Sequence, residues 1–285
     1  MSILNFQRTV WSTKFNKALE KITSLRKHCD FTWDPETKNS KEIKILSVTR
    51  PTIKTYVPGE AITRESGSDG SMTLKLNQYK YFNFEVDDVD KAQSTPGLMD
   101  ELTDEASKGL SQAGDKYVAS LVKAGVEATE NPLAQSSSVI TLSKTNAISS
   151  VEDGFSKLYE NDCKVTDTYY LEVAPKAFTI YRQALTELST NNPEILKKGA
   201  VGKINNAFVC IENLLPTGKA QASDTKDNVF YNILRTNKAI AFAEQINKVE
   251  AYRPQDAFSD AIKGLYVFGA LITRPKEIYV IKTAM

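Results

Sequence analysis

His28 is the only histidine in 285 residues, so a Ser-His-Asp or Cys-His nucleophilic system would have to rest on it alone. Its neighbour Cys29 adds a second soft donor. A zinc site takes three or four, however, and Cys29, Cys163 and Cys210 form no Cys-x-x-Cys pair. A residue on a helix end accounts for His28 without chemistry. The acids Glu85, Asp87, Asp88 and Asp90 could hold a divalent cation or work as an acid/base pair. Asp88-Val89-Asp90 opens like a calcium loop, yet Ala92 and Gln93 stand where a further ligand and the turn glycine belong. A solvated strand-to-helix turn explains the same acids. Gly218-Lys219 ends like a phosphate-binding loop, but Asn213 replaces the first glycine and Ala220 the hydroxyl residue. Tyr79, Tyr81, Phe82 and Phe84 could stack on bases, but no basic groove accompanies them and core packing is the better reading. No catalytic set emerges, and no cofactor or metal site is expected.

The elements that would position such residues form a scaffold. Phe82, Phe84 and Val86 alternate as in a strand with one buried face. After the acids, Ser94-Thr95-Pro96 is a helix start, because proline lacks an N–H that would be unpaired there anyway. Leu98, Leu102, Ala106, Leu110, Ala113, Tyr117, Leu121 and Ala124 then recur every three or four residues. That spacing predicts one amphipathic spine helix of roughly 40 Å.

Bulk properties narrow the class. The length permits one large domain or two ordinary ones. Hydrophobic content of 41% and charged content of 25% are those of a soluble globular protein. Lys+Arg 36 against Asp+Glu 35 leaves no excess charge to draw nucleic acid or an anionic membrane. The longest apolar run, Leu265 to Ile272, falls far short of the ~20 residues a bilayer requires. No signal-peptide core opens the chain. Three scattered cysteines fit a reducing compartment and a cytosolic product.

Met1 to Trp11 reads as an arm anchored by Phe6 and Trp11, and Ser12 can cap a helix bearing Phe15, Ala18, Leu19, Ile22 and Leu25. From Glu42 to Lys75 strand-like apolar residues (Ile43, Ile45, Ile53, Val57, Met72, Leu74) surround turns at Pro58-Gly59 and Gly67 to Gly70. This predicts a long two-stranded excursion. An isolated hairpin is marginal in water, so one with apolar residues needs support outside its own fold. Two further strands of a single sheet is the alternative. Beyond the spine, a polar boundary at Asn131 to Ser150 holds a short strand at Val139–Leu142. Ser149 with Glu152 matches a capping box for a helix carrying Val151, Phe155, Leu158 and Tyr159. Then follow a strand at Tyr169–Val173, a helix marked by Phe178, Tyr181, Leu185 and Leu188, a short buried strand at Phe208–Ile211, and a surface loop at Pro216 to Asn228. The end is strand-rich. Ile240 and Phe242 alternate with alanines, Gly264 and Gly269 mark a bulge or a close backbone approach, and Glu277 to Lys282 closes the chain. The class is α+β or mixed α/β in two lobes.

Four strings carry a resemblance: YKYFNFEVDDVDKAQS (Tyr79–Ser94), VGKINNAFVCIENLLP (Val201–Pro216), AFAEQINKVEAYRP (Ala241–Pro254) and KGLYVFGALITRP (Lys263–Pro275). In order and spacing this set resembles major capsid proteins of tailed phages with the Hong Kong 97 fold, in the branch from phages and prophages of Gram-positive bacteria. The resemblance runs from about Trp11 to Lys282. It implies an α+β capsid fold with an N-terminal arm at 1–41, an extended β-hairpin loop at 42–78, a peripheral domain with the spine helix at 79–138 and 250–285, and an axial domain at 139–249. It implies a coat protein, not an enzyme, that self-assembles through pentamers and hexamers into an icosahedral virion head, built in the bacterial host cytoplasm. Its partners would be copies of itself, a portal protein, and packaged double-stranded DNA bound without sequence specificity, with no membrane. The chain starts almost at once with the arm, so a separate scaffolding protein, or none, is expected. The family's extended loop crosses an adjacent subunit, and with the arm it points to Phe6, Trp11, Ile53, Tyr56, Val57, Ile62 and Met72 as inter-subunit contacts. Some relatives crosslink a lysine to a neighbour's asparagine. Lys54 and Lys75 lie in the loop, but no partner asparagine or catalytic acid maps, and no crosslink is expected. An encapsulin-like cargo shell shares the fold, and a metal-dependent enzyme using Glu85 to Asp90 is the remaining alternative.

Overall fold

The computed structural model describes residues 24–34, 40–48, 52–56, 58–59, 61, 69–87, 98–187, 202–219, 229–256 and 258–284. The expected arm and its helix up to residue 23, Ser94 to Pro96, and Asn191 to Pro193 lie outside them.

The described chain begins with a strap, residues 24–34, which includes a 3-10 turn at Arg26–His28. Strands β1 (Glu42–Val48) and β2 (Asp69–Lys75) pair antiparallel in the register Glu42↔Lys75 and form a sheet of their own. The reading as two further strands of a larger sheet is therefore overturned. The root is also not unsupported. Ile43, Ile45, Leu74 and Leu76 are buried against Ala241, Ala243 and Val267, with Trp33 and Leu271 alongside. Each such aliphatic side chain contributes about 1.5–3 kcal/mol on burial. This anchors the root, but not the described residues further out, which are exposed at 52–56.

β3 (Gln78–Asp87) lies at one edge of a three-stranded antiparallel sheet with β12 (Ser259–Ile272) in the centre and β11 (Ile240–Tyr252) at the other edge. The β3 alternation is as the sequence predicts: Phe82, Phe84 and Val86 are the covered side, while Tyr79 and Tyr81 face outward. The hairpin root covers one face of this sheet near Val267. Helix α1 (Leu98–Val126) covers the other, with Tyr117 edge-on to Phe268 at 5.7 Å and Gly114 against Phe242 and Tyr266. Gly269 is the close backbone approach expected of a strand glycine. A Cβ there would lie 2.1 Å from the Lys75 carbonyl oxygen. The register irregularity falls elsewhere, in β11 between Glu244 and Ile246.

α1 has 29 residues, about 43 Å at 1.5 Å each. Its buried stripe is shifted from the expected one. Gly114, Asp115, Val118, Ala119, Val122 and Val126 are buried, whereas Leu110, Ala113, Tyr117 and Leu121 are half-buried and Ala124 is exposed. The reason is that the C-terminal half lies between the sheet and the strap, so the innermost line is set by small and β-branched residues that allow close approach.

The second sheet is built from β4 (Ala134–Gln135), β5 (Ile140–Thr141), β6 (Tyr169–Val173), β7 (Lys203–Ile204), β8 (Ala207–Ile211), β9 (Thr217–Gly218), β10 (Val229–Thr236) and β13 (Ile278–Ala284). Its main path runs β4-β13-β10-β6-β8-β7, with β5 beside β13 and β9 beside β10. Helices α2 (Ala147–Glu160) and α3 (Pro175–Glu187) pack on one face, where Phe155 meets Tyr169 edge-on at 5.3 Å. α2 starts two residues before the expected cap. Ser149 sits inside its first turn and donates to the Asn146 carbonyl at 3.0 Å, and Glu152 accepts from Asn205 rather than closing a capping box. The Phe208–Ile211 strand exists but is half-exposed, not buried. The Pro216 loop begins as β9, with Gly218 so close under Tyr231 that a Cβ would lie 1.9 Å from the phenol oxygen. Gly218 is thus paired with Val229 of β10 in the sheet rather than set in a phosphate loop.

Sheet membership departs from the expected domain division at two points. β13, expected with the peripheral group, is hydrogen-bonded along its length to β10, and β11 runs across the 249/250 boundary.

Candidate functional site

Side chains alternate across β6, so Tyr169, Leu171 and Val173 face the helices while Tyr170 and Glu172 face the strap. The strap lies where the two sheets and α1 meet, and it is held there by polar groups in an apolar setting. Arg235 of β10 and Glu172 of β6 are fully buried. Arg235 Nε donates to Glu172 Oε2 at 3.0 Å and Nη2 to Oε1 at 2.7 Å. The same guanidinium donates to the carbonyls of Leu25 at 2.6 Å and His28 at 3.1 Å. His28 Nδ1 donates to Glu172 at 2.9 Å, and its ring stacks on Tyr170 with centroids 3.9 Å apart. Burial pushes the Glu172 carboxyl up, but Arg235 and His28 outweigh it and hold the group below the usual carboxylate range. On Arg235 the burial effect is likewise overcome by Glu172, which raises the guanidinium further.

Four more attachments surround this pair. Asp115 of α1 accepts from the Arg26 N–H at 2.7 Å. Arg26 reaches the other way, donating to Tyr266 Oη at 2.6 Å, Glu244 at 3.3 Å and Ser111 at 3.2 Å. Glu212 accepts from both the N–H and the hydroxyl of Ser24. Asp30 then bridges to β11, with its N–H on the Ile240 carbonyl at 2.8 Å and its carbonyl accepting from Phe242 at 2.9 Å.

Cys210, His28 and Glu172 have the order of a thiol–imidazole–carboxylate relay, with Sγ 3.9 Å from Nε2. The chemistry runs against it. Burial pushes the Cys210 thiol up to about 11, and Glu172 and Glu212 add to that, whereas a nucleophilic cysteine needs a lowered value. Cys29 is buried and raised too, chiefly by desolvation. All three cysteines are free. The cluster fastens the strap. Among the described residues no group of His, Cys, Asp and Glu has metal-binding geometry. Glu85 and Asp87 are exposed on β3, and Asp88 and Asp90 lie outside the described residues.

Sequence reasoning singled out His28 but missed Arg235, Glu172, Glu212 and Asp115. A signal existed. Arg235 in NILRT and Glu172 in YYLEV are single charges in apolar strand runs, and a charge that enters a core is normally paired.

Of the residues expected at contacts, Ile53 is 93% exposed, Tyr56 is 64% exposed and Met72 is 37% exposed. Phe6, Trp11, Val57 and Ile62 lie outside the described residues. Further exposed apolar side chains are Leu46 on the hairpin, Tyr79 and Tyr81 on β3, and Phe258 at the β11–β12 turn. The structure does not bring the exposed residues into one pocket. They are spread over the hairpin, β3 and the β11–β12 turn. No described helix is long and apolar enough to cross a membrane.

No family model matches the chain, and no curated protein does. Solved structures do. One titled Mycobacterium phage Che8 superposes with a TM-score of 0.81 at 22% identity over 98% of both chains. The capsid structure of the cyanophage P-SCSP1u superposes at 0.78 and 13% identity, over 100% of this chain and 95% of that one. The asymmetric unit of the bacteriophage PhiM1 mature capsid gives 0.72 and 16%, over 98% and 92%. The chain has a phage-capsid fold. It is the α+β Hong Kong 97-type architecture that the four sequence strings imply, and coverage of nearly the whole of both chains means that the hairpin, spine helix and both sheets belong to it. In this capsid fold the buried polar cluster fastens the strap, and the hairpin, β3 and the β11–β12 turn are among the places that expose large apolar side chains.

Proposed function

We propose that this chain is the major capsid protein of a tailed phage, assembling through pentamers and hexamers into an icosahedral head around double-stranded DNA. The observation that carries this reading is the hairpin, rooted in its own core yet presenting Ile53 and Tyr56 to solvent on a capsid fold. Large apolar side chains on a projection find their burial on another molecule. The inter-subunit residues are accordingly Ile53, Tyr56 and Met72, with Phe6, Trp11, Val57 and Ile62 as the further candidates. The work is structural rather than enzymatic. Three bodies divide it: the hairpin clamps a neighbour, the three-stranded sheet with α1 is the peripheral domain, and the eight-stranded sheet with α2 and α3 is the axial domain. A scaffolding protein and a portal are the expected helpers, and the near-zero net charge suits a container that touches DNA without gripping it.

Negative-stain electron microscopy with sedimentation of the purified chain tests the proposal. Closed shells, or rings of five and six subunits, are expected. A chain that stays monomeric even with its neighbouring scaffold gene co-expressed overturns it.

A further inference from the structure

Glu212 is 1% exposed, and only one of its oxygens is used. Oε1 accepts both bonds from Ser24, while Oε2 is buried without a hydrogen-bond partner among the described residues. Among the described residues, the charged and titratable groups acting on it are Glu172 from β6, Asp115 from α1 and Cys210 from β8, with Arg235 from β10 and His28 from the strap one step away on Glu172. Arg235 is committed to Glu172 and two strap carbonyls, and His28 Nδ1 to Glu172. Among the described residues, an ionised Glu212 would therefore be a buried carboxylate beside two other acids, with no cation of its own. A neutral acid fits instead.

We propose that Glu212 is a proton-operated anchor for the start of the strap: neutral, it seats Ser24, and ionised, it swings toward water and lets Ser24 go. Ionisation would strengthen each Ser24 bond taken singly. Burial and the Glu172 carboxylate nevertheless push the group up to about 8, so desolvation and repulsion win over those bonds. The sign follows. The folded-state value lies above the unfolded one, so the anchor holds fully below the ordinary carboxylate range and is lost as pH rises through about 8. Asp115 still holds the Arg26 N–H, and Arg235 still holds Leu25 and His28, so release is confined to the entry of the strap.

Hydrogen–deuterium exchange on the full unassembled chain tests this, whether or not shells form. After correction for intrinsic rates, protection in the peptide around Ser24 should fall more than tenfold between about pH 6.5 and about pH 9.5. Glu212→Gln, neutral at both, should keep its protection. Ser24→Ala should start less protected and change little. Equal wild-type protection at the two pH values overturns the proposal, as does a parallel fall in Glu212→Gln or a fall spread equally over β6, β10 and β13. Should Glu212→Gln fail to fold, a wild-type-sized fall in Ser24→Ala overturns it.

Discussion

Replacing Arg235 by methionine removes the donor that holds both Glu172 and the strap. Among the described residues Glu172 would keep only the His28 contact at 2.9 Å, inside a site with no solvent exposure. Breaking one side of a buried ion pair costs about 3–5 kcal/mol, because the remaining charge stays uncompensated. The carbonyls of Leu25 and His28 also lose their donors, at about 1–3 kcal/mol for each that stays buried. These effects overlap, so the expected loss for Arg235→Met is about 5 kcal/mol, a third or more of a typical total stability. Removing both charges, with Glu172→Met added, should recover about 2–4 kcal/mol, since apolar replacement of a whole buried pair is close to neutral. The residue of the cost belongs to the strap carbonyls. Urea denaturation of the unassembled chain, followed by tryptophan fluorescence and completed as a double-mutant cycle, measures each quantity. A single variant within about 1 kcal/mol of wild type, or a double variant no better than the single one, would refute the reasoning.

The same pair should govern acid stability. The folded Glu172 lies below the carboxylate reference, so its contribution is present above about pH 4.5 and is lost as pH falls below that. Stability against pH should show this acid limb in wild type and a flatter one in the double variant. Two strand glycines should differ in cost. Gly269→Ala meets the Lys75 backbone oxygen at 2.1 Å and should lose about 1–3 kcal/mol as the hairpin root shifts, whereas Gly264→Ala meets the side chain of Phe82 at 2.2 Å, which can turn aside, and should lose less. Denaturation midpoints would rank them. Ile53→Ser combined with Tyr56→Ser should leave the monomer's stability within about 0.5 kcal/mol, as expected of exposed sites, and should reduce shell yield on sedimentation.

Much of the fold was legible because it rests on local pattern. The alternation at Phe82, Phe84 and Val86, the long three-and-four spacing of α1 and the glycines of β12 are period and backbone signals that survive in any context. The hairpin was one of two readings that its turn residues allowed, and the pairing of β1 with β2 in a sheet of their own decided between them. Less legible was which of two adjoining helix stripes would face inward, since Leu110 and Tyr117 are as apolar as Val118 and Val122. That choice depended on what packed against α1. The start of α2 was misplaced for a related reason: the turn at residues 144–146 begins the helix before the Ser149 motif is reached.

The sequence by itself determined the elements, the absence of a complete catalytic motif, and a set of ordered strings that point to a capsid fold. Tertiary structure alone decided that β13 joins β10 rather than the three-stranded sheet, that the hairpin root lies on β11 and β12, and that Arg235, Glu172, Asp115 and Glu212 converge on the strap. The physical reason is separation. Partners such as Ser24 and Glu212, or Leu25 and Arg235, stand about two hundred residues apart, and no local pattern encodes which of many charges will be the ones taken out of water together.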